Sequence, residues 1–230
     1  AQLETERRIS DIMKRASKFG KNLCYGGGVA LNCVANSKVL NKHFDKIWIF
    51  PNPGDAGSSL GAALGYIGEQ IEFKNCFLGY EIMGMPSPRK IVDALLAYKV
   101  VGVANGKAEF GPRALGNRSL LGDPRYNIKR TVNRIKKRQK FRPFAPAILE
   151  EFADDYFEGP KNEYMQFVSQ ARHDYKAVTH VDGSSRVQVV KENNPSILRK
   201  ILEEYYERTK VPMLLNTSLN VKGQPLVNDW

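Results

Sequence analysis

Apolar and polar positions alternate with short helix and strand periods, separated by glycine- and proline-containing turns. Leu3, Ile9, Ile12 and Met13 fall on one side of a helix predicted over residues 4–18, which ends near Gly20. Leu23 to Tyr25 reads as a short strand, and three glycines lead from it into a helix whose apolar side is expected at Val29, Cys33, Val34 and Val39. Residues 45–50 read as a second strand, PNPGDAG as a turn, and residues 58–71 as a helix of small residues suited to close packing. Residues 72–90 keep no clear period and carry turn signals at Gly79, Gly84, Pro86 and Pro88, which places a domain boundary near residue 83.

The second part opens with a helix over 88–98 and a strand over 99–105, followed by a long loop, GKAEFGPRALGNRSLLGDPR. A basic helix over 127–140 and a strand at the end of FRPFAPAIL come next. Residues 176–190 alternate on both sides of Asp182-Gly183, a hairpin signal, and a helix over 195–208 precedes the strand VPMLLN. Strands and helices mixed in this order predict an α/β or α+β fold class.

With 230 residues, 42% hydrophobic and 26% charged, the chain is long and apolar enough to bury a core and is not of disordered composition. No apolar run approaches the ~20 residues of a membrane span. The N-terminus, AQLETERRISDIMKR, has no signal-peptide core, so the expectation is a cytoplasmic protein with no membrane partner. Cys24, Cys33 and Cys76 form no CxxC pair, and His43, His173 and His180 have no metal-ligand spacing, which supports neither a disulfide framework nor structural zinc.

The net charge of +11 is local. Residues 113–142 contain 11 basic side chains and one acid, Asp123. Such a cluster attracts anions without saying which. Nucleic-acid binding calls for interleaved aromatics, and Tyr126 and Phe141 are the only ones in the stretch. A phosphate metabolite calls for arginines beside backbone-locking residues, which Gly111, Pro112, Gly116, Pro124 and Pro143 supply. A solvated basic face accounts for the charge equally well.

Five segments carry candidate chemistry. Gly26, Gly27 and Gly28 stand between a strand and a helix, followed by Asn32; glycines there let a backbone approach a phosphate, or simply make a tight turn. Asp55, ringed by small residues just before a helix, caps that helix or binds a metal or a nucleotide hydroxyl. The stretch from Glu109 to Ser119 presents Arg113 and Arg118 among glycine and proline, either as a clamp for phosphate or carboxylate or as holders of a carboxylate within the chain. Lys136, Lys137, Arg138 and Arg142 form the fourth segment, and Ser218 and Asn220, at a strand end, the fifth. His180, Asp182 and Ser184 lie too close in sequence to relay a proton as a triad.

In this order, GGGVALNCVAN, PGDAGSSLGAAL, EFGPRALGNRSLL, DPR, KKRQKFRPFAPAIL, THVDGSSRVQVV and LLNTSLNVKGQPLV resemble the landmarks of the nodulation-factor and antibiotic-tailoring O-carbamoyltransferases. The resemblance covers essentially the whole chain. It implies that residues 1–82 are the last part of an actin-like ATPase lobe, similar to threonylcarbamoyl-transfer proteins. Residues 83–230 are then a YrdC-like lobe with a twisted mixed sheet. In that family the second lobe makes a carbamoyl adenylate from carbamoyl phosphate and ATP, and the first transfers the carbamoyl group to a hydroxyl of a small-molecule acceptor at an iron-type metal.

Carried over, Arg113, Arg142 and Lys137 are the catalytic candidates. Arg118, Arg138, Ser218 and Asn220 join them around carbamoyl phosphate and ATP, with Mg²⁺ sharing the charge. Gly26, Gly27, Gly28 and Asn32 line the nucleotide of the first lobe, and Asp55 is a ligand of Fe²⁺. The family's HxxxH ligands and acceptor-binding portion have no counterpart here, so the expectation is a fragment or short relative that does not complete transfer alone. An exposed remnant of the first lobe would also allow pairing into a homodimer. Two other readings remain: an RNA-binding or tRNA-modifying protein, for which the scarce aromatics argue poorly, and a nucleotide-binding module without turnover.

Overall fold

The computed structural model describes residues 1–84 and 86–229. Helix α1 (Gln2–Ala16) buries Ile9 and Met13 and carries Glu4–Arg7 and Glu4–Arg8 pairs on its outer side. Strand β1 (Asn22–Tyr25) leads through the glycines and a 3₁₀ turn into α2 (Cys33–Val39), and β2 (Lys46–Ile49) returns parallel to β1. The buried positions of this helical stretch are Ala30, Ala35, Asn36 and Val39; the expected apolar face is only partly used, and Val29 is exposed. The reason is the break at Asn32, which restarts the helical phase. α3 (Ser58–Ile67) has the predicted small residues but buries none of them, so the close packing expected of it is not made among the described residues.

Strand β3 (Phe77–Ile82), α4 (Pro88–Tyr98), β4 (Val100–Ala104) and β5 (Gly106–Glu109) follow. β3 pairs antiparallel with β5, so the last residues before position 83 share a sheet with residues after it. The long loop expected over 106–125 instead contains β5 and β6 (Arg118–Gly122), leaving residues 110–117 as the connection. α5 (Lys129–Ile135) is shorter than the predicted 127–140 helix. Lys137 takes a left-handed φ of 50°, and the Arg138 and Lys137 amides close back on the Asn133 and Arg134 carbonyls at 3.0 Å each, a helix-ending turn.

The remaining elements are β7 (Ala145–Leu149), α6 (Ala153–Tyr156), β8 (Phe157–Glu158), β9 (Ser169–Ala171), β10 (Ser184–Ser185), β11 (Gln188–Val190), α7 (Leu198–Thr209) and β12 (Met213–Ser218). A five-stranded mixed sheet in the order β11-β7-β12-β6-β4 holds the main core, with Leu121, Ile148, Leu214 and Leu215 packed against Leu95, Leu198, Ile201 and Leu202 from α4 and α7. The architecture is α/β. The Asp182-Gly183 turn forms, but β10 pairs with β9 and β11 with β7, so residues 176–190 do not make the predicted hairpin.

Gln166 joins the first part of the chain to the second. Its Nε2 donates to the Ile49 and Phe50 carbonyls at 2.9 and 3.1 Å, while its own carbonyl accepts from Asn36 Nδ2 at 3.0 Å.

Candidate functional site

The site is built where the turn after α5 meets the end of β12. Lys136, Arg138, Gln139, Arg142, Ser218, Asn220, Val221 and Lys222 surround a cleft of about 290 Å³. Lys136, only 5% exposed, sends its ammonium to the end of β12. There it donates to the Ser218 carbonyl, to Ser218 Oγ at 3.2 Å, and to the Asn220 carbonyl and Oδ1 at 2.9 and 3.0 Å. The Lys222 amide in turn donates to the Lys136 carbonyl at 3.0 Å. Burial, then the neighbouring Arg138, pulls the Lys136 ammonium down to about 8.

Asn133, buried in α5, shapes the other wall. Its Nδ2 donates to the Lys140 and Arg142 carbonyls at 3.1 and 3.0 Å, and its Oδ1 accepts from Arg138 Nε at 2.6 Å. The Arg138 guanidinium also lies over the Phe144 ring, 4.3 Å from its centre. Held this way, it is pulled down to about 10 by burial, then by Arg142 and Arg186. Arg186 is itself lowered by burial and faces Cys33. Arg113, half-buried on the β5–β6 connection, is pulled down to about 10 by burial and then by Arg186, with Cys33 opposing.

Arg113, Arg186, Arg138, Arg142 and Lys136 thus form one run of cations from the start of α2 to the end of β12. Among the described residues none of the five makes a salt bridge. Clustered, partly desolvated cations without carboxylate partners are stabilised by a polyanion, and guanidinium forks suit phosphate. By contrast, a polar cleft of about 300 Å³ near Cys76 and Tyr164 already pairs its Lys191 with Glu163 at 3.0 Å.

The cleft brings together four residues expected there: Arg138, Arg142, Ser218 and Asn220. Arg113 joins them through Arg186. Two expectations fail on geometry. Lys137 is exposed and does not line the cleft; the left-handed turn at Lys137 sends Lys136 inward instead. Arg118 is fully buried, and its guanidinium donates to the carbonyls of Asn105, Gly106, Asn117, Tyr80 and Asn228 at 2.9–3.1 Å, which leaves no fork for an anion. Sequence reasoning did not single out Arg186 as a site residue; it stands in a VDGSSRVQVV stretch read for its turn.

A family model described as Carbamoyltransferase C-terminus matches residues 92–230, and one described as Carbamoyltransferase N-terminus matches residues 4–64. The chain belongs to the carbamoyltransferase family. It is 36% identical to nodulation protein NolNO of Sinorhizobium fredii, over 97% of this chain and 38% of that protein. It is 35% identical to nodulation protein U of Rhizobium tropici, over 97% of this chain and 43% of that protein. An uncharacterized protein of Synechocystis, sll1178, is 35% identical over 90% of this chain and 43% of its own length. The chain therefore spans less than half the length of these relatives.

In this carbamoyltransferase chain, Gly26, Gly27 and Gly28 are exposed, and a Cβ on any of them would meet nothing within 4 Å, leaving open space above the turn. Gly27 has a φ of 91° and donates its amide to the Pro53 carbonyl at 2.7 Å. Asn32 is engaged as the cap of α2: its Oδ1 accepts from the Ala35 amide at 3.1 Å, and its Nδ2 donates to Gln2 at 3.1 Å. Asp55 is exposed, and no group of three or more His, Cys, Asp or Glu that could hold a metal occurs among the described residues. His43, His173 and His180 lie against Ser10, Tyr156 and Ser184 respectively. Among the described residues these do not make an iron site.

His180, Asp182 and Ser184 do meet in space, but the Ser184 hydroxyl donates to Asp182 Oδ1 at 2.7 Å, which closes the turn rather than arming a nucleophile. No helix is long and apolar enough to cross a membrane among the described residues.

Proposed function

We propose that this chain carries the activating half of an O-carbamoyl transfer: ATP and carbamoyl phosphate bind along the Arg113–Arg186–Arg138–Lys136 run, and a carbamoyl adenylate forms there. The observation that carries the reading is the run of five cations without carboxylate partners among the described residues, in a chain of the carbamoyltransferase family.

Activation proceeds in two steps. Water takes the phosphoryl group from carbamoyl phosphate, giving carbamate and phosphate. A carbamate oxygen then attacks the ATP α-phosphorus, and the bond to the bridging oxygen of the leaving pyrophosphate breaks. Negative charge grows on that pyrophosphate, and fixed guanidinium and ammonium groups in a partly dry cleft stabilise it. Arg138 and Arg142 supply the charge on the α5 side. Lys136 bridges the cleft to Ser218 and Asn220, which keeps the β12 end in register with them. The cleft lining offers no carboxylate, so Mg²⁺ would arrive with the nucleotide, held by its phosphates. In this reading the carbamoyl group then passes to an acceptor hydroxyl, with release of AMP.

The test is carbamoyl-phosphate-dependent exchange of labelled pyrophosphate into ATP. Exchange in the unmodified chain, lost in both Arg113→Ala and Arg142→Ala, supports the reading. A folded chain that binds ATP without exchange would make it a nucleotide-binding module instead.

A further inference from the structure

The Arg113 loop is held by a side chain that has no part in the chemistry above. Glu109 is the last residue of β5, set opposite Phe77 of β3 and only 8% exposed. Its Oε1 accepts three backbone amides, from Leu115 at 2.7 Å, Asn117 at 2.9 Å and Arg118 at 3.3 Å. Its Oε2 is buried and has no hydrogen-bond partner among the described residues. An acceptor that gathers amides from residues six, eight and nine positions later folds the intervening chain back on itself, and Arg113 is on that fold.

The opposite side of the same loop is gripped through its carbonyls. Asn216 Nδ2 donates to the Ala114 carbonyl at 3.1 Å, Gln188 Nε2 to the Leu115 carbonyl at 2.9 Å, and Asn216 Nδ2 also to Gln188 Oε1 at 2.7 Å. Gly116 has a φ of 130°, and a Cβ there would come within 2.3 Å of Ser196 Oγ, so the loop also packs without slack. Arg118, next along the chain, ties the neighbouring carbonyls together and faces Glu109 electrostatically. Amides and carbonyls within residues 114–118 are thus held from two sides, and Glu109 supplies the carboxylate of that grip.

We propose that Glu109 is the positioning residue of the Arg113 loop: its carboxylate holds the loop so that the Arg113 guanidinium meets Arg186 and the phosphate-binding run. This rests on reading Arg113 as an anion-binding residue. Glu109→Gln keeps the size of the side chain and removes its charge, weakening the amide contacts without emptying the site.

The experiment is a double-mutant cycle read by calorimetric binding of ATP, with amide hydrogen exchange followed in parallel. Glu109→Gln is expected to weaken ATP binding about ten-fold. Combined with Arg113→Ala it should add little further loss, whereas combined with Arg142→Ala the losses should multiply. A general structural defect would instead multiply with both. Exchange at the Leu115 and Asn117 amides should accelerate in Glu109→Gln while α7 stays protected. Glu109→Asp, which keeps the charge but withdraws it by one methylene, should give the same pattern if Glu109→Gln folds poorly. Unchanged affinity, or losses that multiply equally with both arginine variants, overturns the proposal. If the unmodified chain binds no ATP, the nucleotide reading falls, and exchange at Leu115 and Asn117 still decides whether Glu109 holds the loop.

Discussion

Lys136 and Ser218, 82 residues apart in sequence, are locked together: one ammonium donates to both the carbonyl and the hydroxyl of Ser218. The same ammonium takes the carbonyl and side-chain oxygen of Asn220, so a single cation closes the end of β12 onto the turn after α5. Its neighbour Lys137 faces solvent.

That difference makes adjacent lysines separable by mutation. Lys136→Met leaves half-buried acceptors on Ser218 and Asn220 without this donor and is expected to lower stability by about 1–3 kcal/mol. It should also weaken ATP binding by about ten-fold or more, because the β12 end is no longer held in register with Arg138 and Arg142. Lys137→Met should stay within about 0.5 kcal/mol of the unmodified chain. Urea denaturation and calorimetry on the two variants check this; equal effects would mean the cleft does not depend on Lys136.

Lys136 also gives the protein a pH signature. With its ammonium pulled down to about 8, the folded chain loses this proton earlier than the unfolded chain, where the ordinary value is 10.5. Between those values the unfolded state holds more of the proton, so this group's contribution to stability rises with pH across the window and is flat below it. Binding runs the other way: a neutral amine attracts phosphate less, so ATP affinity should fall as pH rises through about 8. In Lys136→Arg, whose guanidinium stays charged, affinity should be flat from pH 7 to 9. A titration of affinity against pH on both proteins is decisive, and parallel curves would remove Lys136 from the explanation.

The fold was legible in the sequence where a local rule acts without competition. α4 begins and ends where Ser87-Pro88 and the apolar period place it. The mixed α/β class follows from the order of elements. α5 was overextended because its composition favours helix to Lys140, whereas Asn133 and the left-handed Lys137 end it by contacts no periodicity reveals. The hairpin at Asp182-Gly183 failed for a similar reason: the turn is local, but the partners of β10 and β11 are chosen by tertiary pairing. At the cleft, residue type pointed to arginines and could not say which way each one turns. Arg113 and Arg118 stand five positions apart in one motif; one joins the cation run and the other is absorbed by backbone carbonyls.

The three cysteines offer an internal probe of that cation run. Cys76 is buried, and its thiol is pushed up to about 12 by burial and then by Glu109, so it should react with a thiol reagent only after unfolding. Cys24 is exposed, while Cys33 faces Arg186 and lies within electrostatic reach of Arg113. Two native thiols are therefore expected in an Ellman titration and a third in denaturant. Tripolyphosphate should slow the reaction of Cys33 without changing that of Cys24, as read by mass spectrometry of the labelled peptides. Equal protection of both, or of neither, would separate Cys33 from the run of cations.

Surface charge around the cleft sets how fast an anion arrives. Arg130, Arg134, Lys137, Lys140 and Arg142 are exposed, and no Asp or Glu occurs between residues 124 and 149. A field of one sign at a cleft mouth raises association rates and is screened as the Debye length shrinks, from about 10 Å at 0.1 M salt to about 3 Å at 1 M. ATP association, followed by stopped flow with a fluorescent analogue, should slow severalfold over that range while dissociation changes much less. Lys137→Gln with Lys140→Gln removes two of the outer charges without touching the cleft lining. The double variant should bind more slowly at low salt, show a shallower salt dependence, and meet the unmodified chain at 1 M. Identical salt dependence in the two proteins would mean that these outer lysines do not steer the ligand, leaving any attraction to the cations inside the cleft.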